Sequence, residues 1–319
     1  MSMNHIWYNR EAPRSYVEAD VTEDTLSTVP ERKPVEWFEE SIPVRGCHLS
    51  LESIKDVYRE LSRINMEFGR RIISDLERDE SLTEEDWAAR KEFILNDAFR
   101  LTVTLVGHRD QMVYAEGAEV FSSENLPKQI KRIYFTNITA FRRHASGNEP
   151  RNKFEVMLDF DKPELLDPNP LVSAATPNNS SVSVRADDIS FFRAVQHVIE
   201  AKLIRRRTWH SFLHRNFAYD LGVWVLALPV SLYFATYYMD KILPVGGRFS
   251  TFRWAFFVYA VGMMLLLYRL LSSYAKWAFP VNVLAENRDR ALRHRLALGA
   301  LTIWLVYKIA DTFYGLIVP

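Results

Sequence analysis

Four polar side chains are the sequence's candidates for catalysis. His108 and Asp110 lie two apart in the segment HRD, and Asp159 and Asp161 lie two apart in LDFDKP. Histidine transfers protons near neutral pH, and carboxylates at a strand end can act as general bases or hold a metal. The HRD segment lacks the downstream Asn and the glycine-rich loop of a kinase. These residues are candidates for an unfamiliar catalytic site, with turn formation as the alternative for the aspartates.

Histidines at helical spacing raise the question of a metal site. His210 and His214 are four apart, but the residues SFL between them lack the Glu of a metalloprotease motif. His197 and Glu200 form a second neighbouring pair for which no third ligand is apparent. Cys47 is the only cysteine, which excludes an intrachain disulfide and a Cys-rich zinc site. We expect neither a metal nor a cofactor.

Long apolar stretches occupy the C-terminal third of the chain. Leu221–Met239 is uncharged, and at ~1.5 Å per residue it is long enough to cross the ~30 Å hydrocarbon core of a bilayer. The overall charged fraction of 25% hides this division, because composition averages a charge-rich part and an apolar part. The sequence predicts an α-helical transmembrane domain over residues 218–319. Its expected spans are about 218–239, 254–275 and 296–317.

Three charged residues fall within or beside these stretches, namely Arg269, Lys308 and Asp311. A charge near the bilayer centre costs roughly 2.5–3.5 kcal/mol on insertion scales. Lys308 and Asp311 are three apart on one helical face and can neutralise each other. One interpretation is a local pair near the outer interface, and the other is a face that lines a water-filled path or contacts another subunit. If the third segment does not cross, the membrane domain has two spans.

Positive charges beside the first span predict its orientation, because Lys and Arg are retained on the cytoplasmic side. The basic residues before it are Lys202, Arg205, Arg206, Arg207 and Arg215. They place the N-terminal part in the cytoplasm, with the C-terminus outside if all three spans cross. They also attract anionic headgroups by roughly 1 kcal/mol per favourably placed charge. The bilayer is therefore an expected partner. Nucleic acid is not, because the soluble part has no basic excess and no known binding motif.

The soluble part divides into a predicted flexible arm over residues 1–45 and a cytosolic domain over residues 46–187. Ser50 is a suitable N-cap for a helix that runs to about Arg78, because apolar residues recur after it at steps of three and four. Thr83 begins a second helix. The side chains that this second helix should bury are Trp87, Phe93 and either Ile94 or Leu95.

Five β-rich segments follow. They are Arg100–Gly107, Gln111–Gly117, Ile130–Phe141, Lys153–Phe160 and Ser181–Ala186. The HRD segment and its flanking Gly predict a hairpin between the first two. Because there is neither a repeating strand–helix rhythm nor a phosphate loop, we expect an α+β domain with a mostly antiparallel sheet packed with helices. The Pro- and Asn-rich segment Asp161–Ser180 predicts a surface loop that can serve as a recognition element.

The head and the membrane are joined by a predicted helix over residues 188–217, whose apolar stripe precedes the basic cluster. If this helix is continuous with the first span, it can transmit movement between the sheet and the membrane. If it is a simple stalk, it only holds the domain in place. Pro229 lies near the middle of the span and is expected to kink it.

The sequence supports several functions of different classes. The first is a multi-pass membrane protein whose cytosolic interaction or sensing domain is coupled to its membrane helices, with a protein partner or self-association; an oligomeric membrane effector is one version of it. The second is a membrane-tethered enzyme that uses His108, Asp110, Asp159 or Asp161. The third is an accessory subunit of a larger membrane complex.

Overall fold

The computed structural model describes residues 36–76, 81–165, 176–205, 209–287 and 291–317. Its first part is a domain that we call the head, residues 37–205, and its second part is a set of helices. Most of the predicted arm lies outside the described residues.

The head contains a six-stranded antiparallel sheet with strand order β1-β7-β6-β5-β3-β4. Its strands are β1 (Phe38–Pro43), β3 (Thr102–Gly107), β4 (Met112–Ala115), β5 (Ile130–Thr136), β6 (Lys153–Asp159) and β7 (Ser181–Ala186). A separate parallel pair consists of β2 (His48–Leu49) and β8 (Val283–Leu284). The predicted antiparallel sheet packed with helices is confirmed, and so is the β3–β4 hairpin.

Strand β1 lies within residues 1–45, which the sequence assigns to a flexible arm. It pairs with β7 along its whole length. Ile42 is its one buried residue, whereas Glu39 and Glu40 are exposed on this edge strand. The arm prediction was therefore wrong from Phe38 onward, because an edge strand with a single buried side chain shows little alternation.

Helix α1 (Leu51–Ser74) begins where the sequence predicts. Ser50 is its N-cap: its hydroxyl accepts a hydrogen bond from the Ser53 N–H at 3.2 Å, and the Ser53 hydroxyl accepts one from the Ser50 N–H at 3.0 Å. This reciprocal pair satisfies two backbone groups that the first turn leaves open. The residues that α1 buries in the head core include Ile54, Val57, Tyr58, Leu61 and Ile64.

Helix α2 (Glu84–Ala98) is also capped as predicted, since the Thr83 hydroxyl accepts a hydrogen bond from the Asp86 N–H. The set of side chains that α2 buries differs from the prediction. Phe93 is 64% exposed, because α2 packs on a small cluster through neighbouring Ile94 and Leu95 and turns Phe93 outward.

Strand β5 ends five residues before the predicted boundary at Phe141, and helix α3 (Ile138–His144) follows it. Asn137 causes this change. Its Oδ1 accepts a hydrogen bond from the Phe154 N–H, and its Nδ2 donates to Asn65 Oδ1 and to the Asn152 carbonyl. A buried side chain thus replaces the next step of the ladder.

The predicted continuous helix over residues 188–217 is interrupted. Helix α4 (Ile189–Ile199) passes into a π-helical turn at Glu200–Ile204, and a 3₁₀ segment occupies Trp209–His214. Helix α5 (Asn216–Gly222) then begins after Arg215, whose backbone is extended at φ −89° and ψ 143°. An extended residue ends any helical ladder, so the prediction of an unbroken helix was wrong.

Two helical stretches, Tyr219–Ile242 and Ser250–Ala278, are long and apolar enough to cross a bilayer. The first comprises the end of α5, a π-helical turn and α6 (Leu228–Ile242); the second contains α7 (Arg253–Ala278). The π turn ends two residues before Pro229, the predicted kink position, and π turns and prolines are both common causes of helix kinks. Helix α8 (Leu292–Ile317) forms at the predicted third span, whose crossing stays a prediction.

Candidate functional site at the junction of head and helices

The chain returns to the head after α7. Residues 279–287, which we call the return segment, contain β8, which pairs in parallel with β2. The Val283 N–H donates to the Cys47 carbonyl at 2.9 Å, and the Ala285 N–H donates to the Leu49 carbonyl at 2.8 Å. Leu284 is 2% exposed and belongs to the head core. The far end of α7 is therefore fixed to the head through backbone pairing and apolar burial.

Asn282 is the centre of this junction. Its Oδ1 accepts a hydrogen bond from the Cys47 N–H at 3.0 Å, and its Nδ2 donates to the Val44 carbonyl at 3.0 Å and to Ser180 Oγ at 2.9 Å. Asn282 and Ser180 are each 2% exposed. Breaking these hydrogen bonds would leave buried polar groups without partners, which is costly. The Asn282 side chain therefore holds three segments of the chain in register.

Two more side chains of the return segment bind the ends of head elements. Asn287 Oδ1 accepts from the Ile130 N–H at 2.9 Å, and its Nδ2 donates to the Ile130 carbonyl at 2.7 Å. Glu286 Oε1 accepts from the Leu51 N–H at 2.9 Å. Glu286 thus places a carboxylate at the positive end of α1, and Asn287 continues the edge of β5.

His214 links the entry of α5 to the return segment. Its Nε2 lies 2.6 Å from the Phe279 carbonyl oxygen, and its Nδ1 lies 3.0 Å from Thr176 Oγ1. A carbonyl only accepts, so Nε2 carries the proton and Nδ1 accepts from the threonine hydroxyl. Burial lowers the pKa of His214 to about 4, which keeps the ring neutral at physiological pH.

His210 lies beside His214 in the same 3₁₀ segment. It is 8% exposed, its ring centroid lies 5.5 Å from that of Phe279, and burial lowers its pKa. The His214 ring nitrogens already contact Phe279 and Thr176. Within the described parts of the chain, no group of three His, Cys, Asp or Glu side chains is placed to hold a metal.

A cleft of about 400 Å³ opens beside this junction. The antiparallel register brings the end of β6 and the beginnings of β5 and β7 to one edge of the sheet. That edge forms one wall, and the last turns of α7 form the other. The polar residues that line the cleft include Arg132, Asp159, Asp161, Lys162, Glu164, Asn178, Asn179, Ser273 and Lys276.

The two aspartates of LDFDKP have defined partners in this cleft. Asp159 Oδ1 accepts from the Asp161 N–H at 3.0 Å, which closes a turn after β6. Asp159 Oδ2 accepts from Asn179 Nδ2 at 3.2 Å and lies 3.5 Å from Arg132 Nε. Asp161 pairs with Lys131 at 3.0 Å. Both carboxylates are thus engaged by neighbouring donors.

The other catalytic candidates, His108 and Asp110, lie in the β3–β4 turn. Both are exposed, and the turn is tight, with φ of 75° at Arg109 and 58° at Asp110. Strand β5 separates β3 from β6, which places them roughly 10 Å from the cleft aspartates by strand spacing alone. The four residues share one end of the sheet, but the structure does not bring them into one catalytic cluster.

The charged residues of the apolar helices have different surroundings. Arg269 is 5% exposed, and its guanidinium lies 5.4 Å from the centre of the Tyr219 ring, so it faces α5. Next to it, a Cβ built on Gly222 would lie 1.9 Å from Tyr268 Oη. Lys308 and Asp311 on α8 are exposed and lie 3.8 Å apart.

The basic cluster before the first span is only partly described. Arg206 and Arg207 lie outside the described residues. Lys202 lies 3.9 Å from Glu60 on α1, and Arg205 and Arg215 are exposed. Arg205 and Arg215 thus keep their charges at the surface, and Arg215 directly precedes α5.

The polar residues of the return segment were missed by sequence reasoning. Asn282, Glu286 and Asn287 lie in the segment FPVNVLAEN between two apolar helices. The available signal was that polar side chains interrupt an apolar stretch where a span ends. Comparisons with protein families, with curated proteins and with solved structures found no match to this chain.

Proposed function

We propose that this protein is a membrane-anchored binding protein whose head senses a polar ligand in the cleft and relays its occupancy to the helix pair. The observation that carries this proposal is the composition of the cleft. Arg132 comes from β5 and Asn179 from the segment that leads into β7, whereas Ser273 and Lys276 come from α7. A ligand that contacts both walls stabilises one relative position of head and helix.

Membrane anchoring is supported by the surfaces of the two long helical stretches. Only 17% and 6% of their most apolar windows are buried. Trp224, Val258 and Leu267 are between 66% and 69% exposed. A core helix of a soluble protein buries such side chains, whereas a lipid-facing helix exposes them.

A cytoplasmic head is supported by charge and by connectivity. The head precedes the first stretch, and the return segment that follows the second stretch packs on the same head. Two crossings therefore bring the chain back to its starting side. Basic residues lie at this end, among them Arg215, Lys276 and Arg295, as expected for the cytoplasmic side.

The charges of the cleft indicate the class of ligand. The cationic groups that line it belong to Arg132, Lys162 and Lys276, and the carboxylates to Asp161 and Glu164. Both signs lie along one opening at the membrane-facing edge of the sheet. A small zwitterionic molecule, with one anionic and one cationic group, complements this arrangement.

The test is hydrogen exchange on the full chain in lipid nanodiscs, with a panel of amino acids and phosphorylated amino alcohols as probes. A ligand should protect peptides around Asn179 and around Lys276 together. Lys276→Gln should weaken this binding at least fivefold, whereas Lys91→Gln on α2 should not change it. Protection confined to the head, or no response to any zwitterion, would contradict the proposal.

A further inference from the structure

Helix α8 is exposed around its whole circumference over residues 299–304. Every residue between Gly299 and Tyr314 whose side chain the structure describes is exposed. Several of them are large and apolar, including Ile303 at 73%, Val306 at 61% and Tyr307 at 62%. The first turns of α8 contact the rest of the chain, for example through Arg295 Nε, which donates to the Ala278 carbonyl at 2.8 Å. The exposed part is thus open to lipid or to a partner.

One stripe of this helix combines apolar and charged side chains. Leu301, Trp304, Lys308 and Asp311 follow one another at steps of three, four and three, so they lie along one face. Leu301 is 43% exposed and Trp304 is 56% exposed. Lys308 and Asp311 form their ion pair at the outer end of this face. Such spacing is typical of a helix that packs against another helix.

The charges distinguish a protein partner from lipid. An ion pair that faces hydrocarbon loses hydration without gaining other polar contacts, so Lys308 and Asp311 are unfavourable on a lipid-facing stripe. The pair is also self-complementary. Its two charges are about 4.5 Å apart along the helix axis, within reach of a lysine side chain from a neighbouring parallel helix.

We propose that α8 associates with α8 of a second copy of this chain through the stripe Leu301–Asp311. In a parallel two-fold pair, Lys308 of each helix faces Asp311 of the other, and the single ion pairs become a four-charge cluster. Leu301 and Trp304 pack along the seam below it. This inference rests on α8 alone and does not depend on the zwitterion cleft.

The first test measures association by energy transfer between donor- and acceptor-labelled full-length chains in lipid vesicles. Trp304→Ala should reduce association at least fivefold, because it removes the largest side chain of the seam. Val306→Ala, on the opposite face and equally exposed to solvent or lipid, is the matched control and should leave association unchanged. Equal behaviour of the two variants would overturn the proposal.

The second test asks whether the charges pair between copies. Lys308→Asp and Asp311→Lys should each associate weakly alone, since each places like charges in the cluster. A mixture of the two variants should recover association, because opposite charges then face each other. A pair confined to one helix cannot be rescued in this way. Loss of association that mixing fails to restore would therefore contradict the proposal, as would singly substituted chains that associate normally.

Discussion

The head is attached to the apolar helices at two places that differ in character. At the first, the covalent chain has a π turn at Glu200–Ile204, a 3₁₀ segment at Trp209–His214 and an extended Arg215. At the second, the return segment is bound by a parallel strand pair and by Asn282, Glu286 and Asn287. The direct connection changes its helix type along its length. In the return segment, by contrast, β8 and the side chains of Asn282, Glu286 and Asn287 are all hydrogen-bonded to the head.

This difference indicates which connection transmits force. A continuous helix couples two domains by its own stiffness, but a chain that changes helix type several times does not. The return segment instead enters the head core with Leu284, which is fully buried with Leu49. We infer that movement of the head is transmitted to α7 rather than to α5.

The largest expected effect is that of Asn282→Leu. The substitution removes the hydrogen bonds of Asn282 to the Cys47 N–H, the Val44 carbonyl and Ser180 Oγ, each worth about 0.5–1.5 kcal/mol. The Val44 carbonyl keeps Asn178 Nδ2 as a partner and Ser180 Oγ keeps the Asp159 backbone, so the largest single loss is at the Cys47 N–H. We expect the free energy of opening at β2 and β8 to fall by about 3–4 kcal/mol. Amide hydrogen exchange of the full chain measures this quantity directly.

The control for that experiment is Asn148→Leu, because Asn148 is exposed in the α3–β6 loop. It should change exchange at β2 and β8 by less than about 0.5 kcal/mol. If Asn282→Leu behaves like this control, the return segment is not the stronger attachment, and the comparison of the two connections fails.

Local patterns predicted the head better than the junction. Ser50 and Thr83 gave both helix starts, because an N-cap acts within three residues. The β3–β4 hairpin was equally readable from its turn residues. The role of Asn282 was not readable, since it binds Cys47 and Val44 from more than 230 positions away. Contacts at such separation leave no local period in the sequence.

The second prediction concerns pH. Burial holds the folded pKa of His214 near 4, whereas an unfolded histidine titrates near 6.5. Between these values the unfolded state binds a proton that the folded state excludes, so stability is complete above pH 6.5 and falls as the pH drops toward 4. At pH 4 the free energy of unfolding is lower by about 3 kcal/mol than it is above pH 6.5.

This prediction is measured as the difference in unfolding free energy between pH 7 and pH 4 for the wild type and for His214→Gln. Gln keeps a donor for the Phe279 carbonyl but does not titrate. The pH dependence should therefore decrease by about 3 kcal/mol in the variant. Unchanged pH dependence would show that His214 does not report on the junction.

The third prediction concerns the contact between α5 and α7, which ties the two connections together. Gly222→Ala would place a Cβ 1.9 Å from Tyr268 Oη, so the Tyr268 ring must shift or the helices must move apart. Overpacking of this kind costs about 1–3 kcal/mol. Gly262→Ala, on α7 with nothing within 4 Å, is the matched control and should be neutral or slightly stabilising. Thermal unfolding in bilayers compares the two.

For the candidate sites, the sequence indicated which residue types are present but not which residues they contact. The turn that Asp159 closes after β6 is local and agrees with the turn alternative for the two aspartates. Their ion pairs were not readable, because they depend on Arg132 and Lys131 from the neighbouring strand β5. His108 and Asp110 lie at the same end of the sheet as the two aspartates but do not form a cluster with them, because β5 lies between β3 and β6. Strand order decides which polar groups meet, and it is a long-range property that a motif does not carry.

The smallest expected effect tests the weaker connection directly. Two glycines inserted after Arg205 lengthen a segment that is already irregular, and loop entropy changes by less than about 1 kcal/mol for such an insertion. The same insertion after Phe279 moves Asn282 out of register with its three partners and should release β8 from β2. Exchange at β2 should therefore rise strongly for the second insertion and little for the first. If the first insertion is the more damaging one, the direct chain, and not the return segment, holds the head to the helices.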